Sequence, residues 1–171
     1  MQISQTLWIN NSMFLQMVAE AEKWEPYETG GVFMGYQADN NDLVVTDLID
    51  AGKNSTHKHF RFSPDQDYQL KKIADVYKKS GGAITYLGDW HTHPNTTPEL
   101  SWVDKRTLTK IALTPESKNL HPIMVILGGE PEKWTLNSVQ FITGAMRPWL
   151  FLKCTCLQLQ HKSYNEKKEV S

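Results

Sequence analysis

The chain has 171 residues, the size of one domain with its own core and a short tail. It is 40% hydrophobic and 22% charged, and 18 basic against 19 acidic side chains leave a net charge near −1, which gives no electrostatic reason to expect nucleic acid or an anionic membrane as partner. Two cysteines, Cys154 and Cys156, are too close in sequence for a normal disulfide and lack a second pair to complete a structural zinc site; they read as free thiols of a reducing, cytoplasmic compartment.

The N-terminus has neither a basic start nor a long apolar stretch, so no secretory signal is expected. The longest apolar run, Ile123 to Leu127, is far too short to cross a bilayer. The first predicted helix covers Asn11 to about Lys23, capped by Asn11 or Ser12, with Phe14, Met17, Val18 and Ala21 on one face. Gly31 to Gln37 reads as a strand that turns around residues 38–41 into a second strand, Leu43 to Ile49. A short strand is expected at His59 to Phe62. Ser63-Pro64-Asp65 reads as a helix start, with Leu70, Ile73, Ala74 and Tyr77 facing inward and Ser80-Gly81-Gly82 as the stop.

Ala83 to His93 is apolar, aromatic and β-branched, and predicts a buried strand. A loop rich in Pro, Asn and Thr follows, and Ser101 to about Leu113 predicts a third helix with Leu108, Ile111 and Ala112 inward. Pro122 to Leu127 and Thr135 to Ile142 predict strands; Trp149 to Leu159 is apolar and reads as strand or helix. Residues 161–171 read as a polar, disordered tail beyond a single mixed α/β domain over 1–160, a central sheet with helices packed against it.

The chemistry concentrates in His91-Thr92-His93-Pro94 and Ser101-Trp102-Val103-Asp104. On a strand, residues two apart share a face, so His91 and His93 project side by side and Thr92 points away. Catalytic zinc uses three protein ligands of this kind and leaves a fourth position to water. Asp104, in the first turn of the next helix, can reach back as the third ligand. Water at such a metal still needs a proton acceptor outside the ligand set. Glu28, ahead of Thr29-Gly30-Gly31 and a buried strand, is the best candidate, and Ser101 is placed to donate to an oxyanion.

The pattern Glu…His-x-His-Pro-x6-Ser-x2-Asp, with His91-x-His93-x7-Ser101-x2-Asp104 and the upstream run Glu28 to Gly35, resembles the JAMM motif of the JAB/MPN zinc metalloprotease family. That resemblance implies a cytidine-deaminase-like JAB/MPN fold over roughly Thr6 to Ile142. It also implies one zinc ion on His91, His93 and Asp104, with Glu28 as general base and acid and Ser101 as oxyanion donor. The substrate it implies is a ubiquitin-like protein or protein conjugate, cut at an isopeptide or peptide bond. Gly88-Asp89-Trp90 resembles small prokaryotic members, including deconjugating peptidases of CBASS anti-phage operons. Sulfur-carrier processing and a non-catalytic MPN scaffold are the competing readings. A nucleobase deaminase is excluded, since there is no His-x-Glu and no Pro-Cys-x-x-Cys.

Other features have plainer readings. His57-Lys58-His59 is a second His-x-His, but Ser and Asp do not follow at the needed spacing, so it is read as a solvated or substrate-facing edge. Trp90 and Trp102 are read as core packing. Asp89 would share the face of His91, as a support to the metal site or as a surface acid.

Overall fold

The computed structural model describes residues 5–146 and 152–165. Ten strands and three helices follow one another as β1 (Thr6–Asn10), α1 (Asn11–Trp24), β2 (Gly30–Gln37), β3 (Leu43–Ile49), β4 (Thr56–Lys58), β5 (Arg61–Ser63), α2 (Gln66–Lys79), β6 (Thr85–Pro94), α3 (Trp102–Leu113), β7 (Ile123–Gly129), β8 (Thr135–Met146), β9 (Leu152–Gln158) and β10 (Gln160–Tyr164). Eight of the strands form one sheet in the order β10-β1-β3-β2-β6-β7-β8-β9, while β4 and β5 pair only with each other. The sheet is mixed, as expected: β1 runs parallel to β10 and β3, β6 runs parallel to β7, and the remaining neighbours are antiparallel. Gln158 pairs with β8 near one end of the order and Gln160 pairs with β1 near the other, so the sheet curls until its ends meet. None of the described helices is long and apolar enough to cross a membrane.

Strand alternation sorts the side chains onto two faces. On one, Met13, Met17 and Ala21 of α1 pack against Leu7, Phe33, Val45, Trp90 and Val125. On the other, Leu108 and Ala112 of α3 pack against Met124, Ile126, Val139 and Phe141, and α2 covers Val32, Met34 and Ile49. Trp90 is buried at 1% exposure. Its neighbour His91 is in register with Ile126 of β7 and so belongs to the α3 face.

Several expectations are corrected. The cap of α1 is Asn10, whose side chain accepts from the Ser12 amide, rather than Asn11 or Ser12. The single strand expected at His59 to Phe62 is a hairpin with His59 and Phe60 at its turn. Helix α2 is capped by Asp65, two residues later than Ser63, and packs through Tyr68, Ile73 and Val76; Leu70, Ala74 and Tyr77 are exposed. The expected tail is part of the sheet at its start, because Gln160–Tyr164 forms β10 along β1. The apolar segment from Trp149 is strand from Leu152 on, and its first residues lie outside the described ones.

Candidate metal centre

Two elements converge on one point. Strand β6 presents His91 and His93 on its α3 face, and α3 opens on Ser101, with Asp104 in its first turn. The two Nε2 atoms are 3.0 Å apart; His91 Nε2 lies 3.1 Å from Asp104 Oδ1, and His93 Nε2 lies 3.6 Å from Asp104 Oδ2. Among the described residues, His91, His93 and Asp104 are the His, Cys, Asp or Glu group whose ligand-type atoms gather closely enough, within 4.8 Å of one another, to hold a metal ion. Two imidazole nitrogens and a carboxylate are a donor set that suits zinc with one position left open. A cation between them also accounts for two ring nitrogens facing each other at hydrogen-bond distance.

Two of these three side chains are held from behind. His93 Nδ1 donates to the Thr97 carbonyl at 3.3 Å, which turns Nε2 toward the site. That loop is pinned from the sheet: Asn137 donates to the Pro98 carbonyl at 2.9 Å, and Gln158 donates to Asn137 at 2.8 Å. Asp104 and Ser101 form a capping box, in which the Ser101 amide donates to Asp104 Oδ2 at 2.8 Å and the Asp104 amide donates to Ser101 Oγ at 3.1 Å. Burial would raise the Asp104 pKa, but hydrogen bonds from His91 and Ser101 and the charge of His91 overcome it and hold the carboxylate well below the ordinary range. His93 is shifted down, chiefly by burial and then by His91, which favours the neutral imidazole a metal needs.

Glu28 stands in an irregular segment between α1 and β2. Burial pushes its carboxyl from 4.5 up to about 7, with His91 pulling it down and Asp104 pushing it up, so its charge is felt by both. The contact with β6 is made at Thr29. Its amide donates to Thr92 Oγ1 at 2.9 Å, and the Thr92 amide donates back to the Thr29 carbonyl at 2.8 Å. Thus Thr92, which points away from the histidines, ties the Glu28 segment to the strand that carries them. Gly30 is opposite His91 and has no room for a side chain: a Cβ there would lie 2.3 Å from the Trp90 carbonyl oxygen and 2.9 Å from His91 Cα.

Glu28, His91, His93, Ser101 and Asp104, the residues expected from sequence, are therefore neighbours. Asp89 is on the face of His91 and accepts from the Tyr86 hydroxyl at 2.8 Å; burial raises its carboxyl to about 6. Trp102 is 60% exposed, with Arg106 over its ring, so it is not core. Thr29, Thr92, Thr97 and Asn137 carry no sequence signal as supports, since their roles depend on long-range register.

A profile of prokaryotic homologs of the JAB domain matches residues 10–140. Over 129 residues the chain is 43% identical to a Sinorhizobium fredii protein named probable metalloprotease y4qB, covering 75% of this chain and 79% of that one. Over 127 residues it is 33% identical to an Enterobacter hormaechei protein named CD-NTase/cGAS isopeptidase, covering 74% of this chain and 69% of that one. The solution structure of a Desulfitobacterium hafniense protein superposes with a TM-score of 0.67 at 21% identity, covering 97% of each chain, and shares the fold. The mixed sheet, the motif residues gathered on β6 and α3, and a profile match over most of the sequence lead to one conclusion: the chain belongs to the family of prokaryotic homologs of the JAB domain.

Proposed function

We propose that this protein is a zinc-dependent peptidase that releases protein conjugates by cutting the isopeptide or peptide bond after the C-terminus of a ubiquitin-like protein. The observation that carries the reading is the meeting of His91, His93 and Asp104 at one point with Glu28 beside them. Relatives named as a metalloprotease and an isopeptidase support the reaction class.

In this reading His91, His93 and Asp104 hold zinc, which when bound acts as a Lewis acid and lowers the pKa of its water toward about 7. Glu28 takes a proton from the attacking water and passes it to the departing amine. The C–N bond breaks, leaving a carboxylate on one product and an amine on the other. Burial raises the Glu28 carboxyl above its ordinary range, the direction that helps it carry a proton to the amine. The Ser101 hydroxyl, whose oxygen accepts from the Asp104 amide, donates its proton to the oxyanion that forms on the scissile carbonyl. The exposed Trp102 and Val103, beside Asp104 on α3, offer an apolar margin for the conjugate.

The cellular setting proposed is the bacterial cytoplasm, in anti-phage defence, with genes for E1- and E2-like conjugating enzymes alongside. The activity is tested with ubiquitin-like proteins carrying a C-terminal aminomethylcoumarin amide or a fused reporter. Cleavage is expected in the wild type and lost with a chelator and in Glu28→Ala. Cleavage that survives both defeats the proposal.

A further inference from the structure

The second His-x-His, at His57 and His59, is not a metal site: His57 lies in β4, whereas His59 turns its ring toward Tyr27 at a centroid distance of 4.8 Å. His57 is instead held by its own contacts. Its ring stacks on Trp24 with centroids 3.6 Å apart and planes 12° apart, and the Phe62 ring of β5 lies 6.0 Å away at 26°. Nε2 meets the Ser55 hydroxyl at 2.8 Å, and that hydroxyl also reaches the Gly52 carbonyl at 2.6 Å. Nδ1 is 2.9 Å from the carbonyl oxygen of Glu28. A carbonyl only accepts, so Nδ1 carries the proton and donates it.

The neighbouring residue completes the grip, because the Glu28 amide donates to the Lys58 carbonyl at 2.9 Å. Both main-chain polar groups of Glu28 are thus held by β4. Glu28 belongs to no helix or strand, and the β4–β5 pair is separate from the main sheet, exposed except at His57 and Phe62. A hairpin with so little core of its own keeps a histidine whose ring is stacked on Trp24 and whose two nitrogens both have partners, and the group it holds is the backbone of the proposed base.

We infer that His57 is a positioning residue for Glu28: its Nδ1–H fixes the Glu28 carbonyl and, with Lys58, sets where the carboxylate stands relative to His91 and Asp104. The inference rests on the reading of Glu28 as the base. Its physical force is that catalysis is steep in distance, a misplacement of about 1 Å costing up to about 100-fold.

The test compares His57→Phe, which keeps a flat ring on Trp24 but removes the donor, with His57→Asn, which restores an N–H near the position of Nδ1. Hydrolysis of a ubiquitin aminomethylcoumarin amide, zinc content and Tm are measured for both, with Glu28→Gln as the reference. His57→Phe is expected to lose about tenfold or more in kcat with KM within about twofold and zinc retained, and His57→Asn to recover most of the loss. A substrate-independent readout is amide hydrogen exchange over residues 25–30, expected about tenfold faster in His57→Phe than in wild type. Exchange at the wild-type rate in His57→Phe overturns the inference. So does wild-type kcat in His57→Phe, or an equal loss of kcat, zinc and Tm in both variants. An active Glu28→Gln instead removes the reading of the base, an outcome separate from these.

Discussion

Thr92→Val isolates the tie between the Glu28 segment and the strand that carries His91 and His93. Thr92 and Thr29 are both buried, at 0% and 1% exposure. Valine keeps the β-branched shape and the strand preference, and the bond from the residue 92 amide to the Thr29 carbonyl survives. What is lost is the acceptor for the Thr29 amide at 2.9 Å. A buried donor left unpaired costs about 1–3 kcal/mol, offset in part by no longer burying a hydroxyl. A net loss of about 1–2 kcal/mol is expected, which for a domain of this size lowers Tm by roughly 2–8 °C. Urea unfolding of the chelated proteins reads this without any contribution from bound metal, as a lower midpoint at unchanged slope. Because Glu28 precedes the freed amide, kcat at full zinc loading should fall as well. A stability change below about 0.5 kcal/mol together with an unchanged kcat refutes the claim that this tie positions Glu28.

Gly30→Ala should cost well over about 1 kcal/mol and lower the zinc content of the purified protein, since the added Cβ would meet backbone atoms of Trp90 and His91; a fully loaded variant with wild-type Tm contradicts this. Ser101→Ala should lose about 1 kcal/mol with the helix cap and about 100-fold in kcat with the oxyanion donor; a kcat loss under about threefold reduces Ser101 to a cap. In metal-free protein the Glu28 carboxyl should titrate near 7 by NMR and move down when zinc is added. The sign follows from the raised folded value: the neutral carboxyl contributes its stability fully below 4.5, and that contribution is lost as pH rises through about 7. A midpoint near 4.5 without metal contradicts it. Asp104, held down, works the other way, contributing above 3.8 and losing that contribution as pH falls.

The candidate site was legible because its residues follow local patterns. Two histidines two apart on a strand must share a face, and Ser101 three before Asp104 is both a cap signature and a way to place a carboxylate in a first turn. The misread parts depend on partners far away in sequence. Leu70 and Tyr77 have helical spacing, but α2 meets the sheet through Tyr68, Ile73 and Val76, a choice made by Val32, Met34 and Ile49. Residues 161–164 are polar enough to read as a tail, and become strand because β1 offers them an unpaired edge. The β4–β5 hairpin gives little hydrophobic alternation to read, since its inward residues are only His57 and Phe62. His57 read as part of a solvated or substrate-facing edge, whereas the fold turns its nitrogens to Ser55 and to the Glu28 backbone.

Metal analysis of the purified protein and two variants tests the central claim most directly. About one zinc per chain is expected in the wild type and in Glu28→Gln, with cleavage lost in the latter, and the zinc should be absent from Asp104→Ala. A wild-type protein without stoichiometric metal, or zinc undiminished in Asp104→Ala, would contradict a metal centre built from His91, His93 and Asp104.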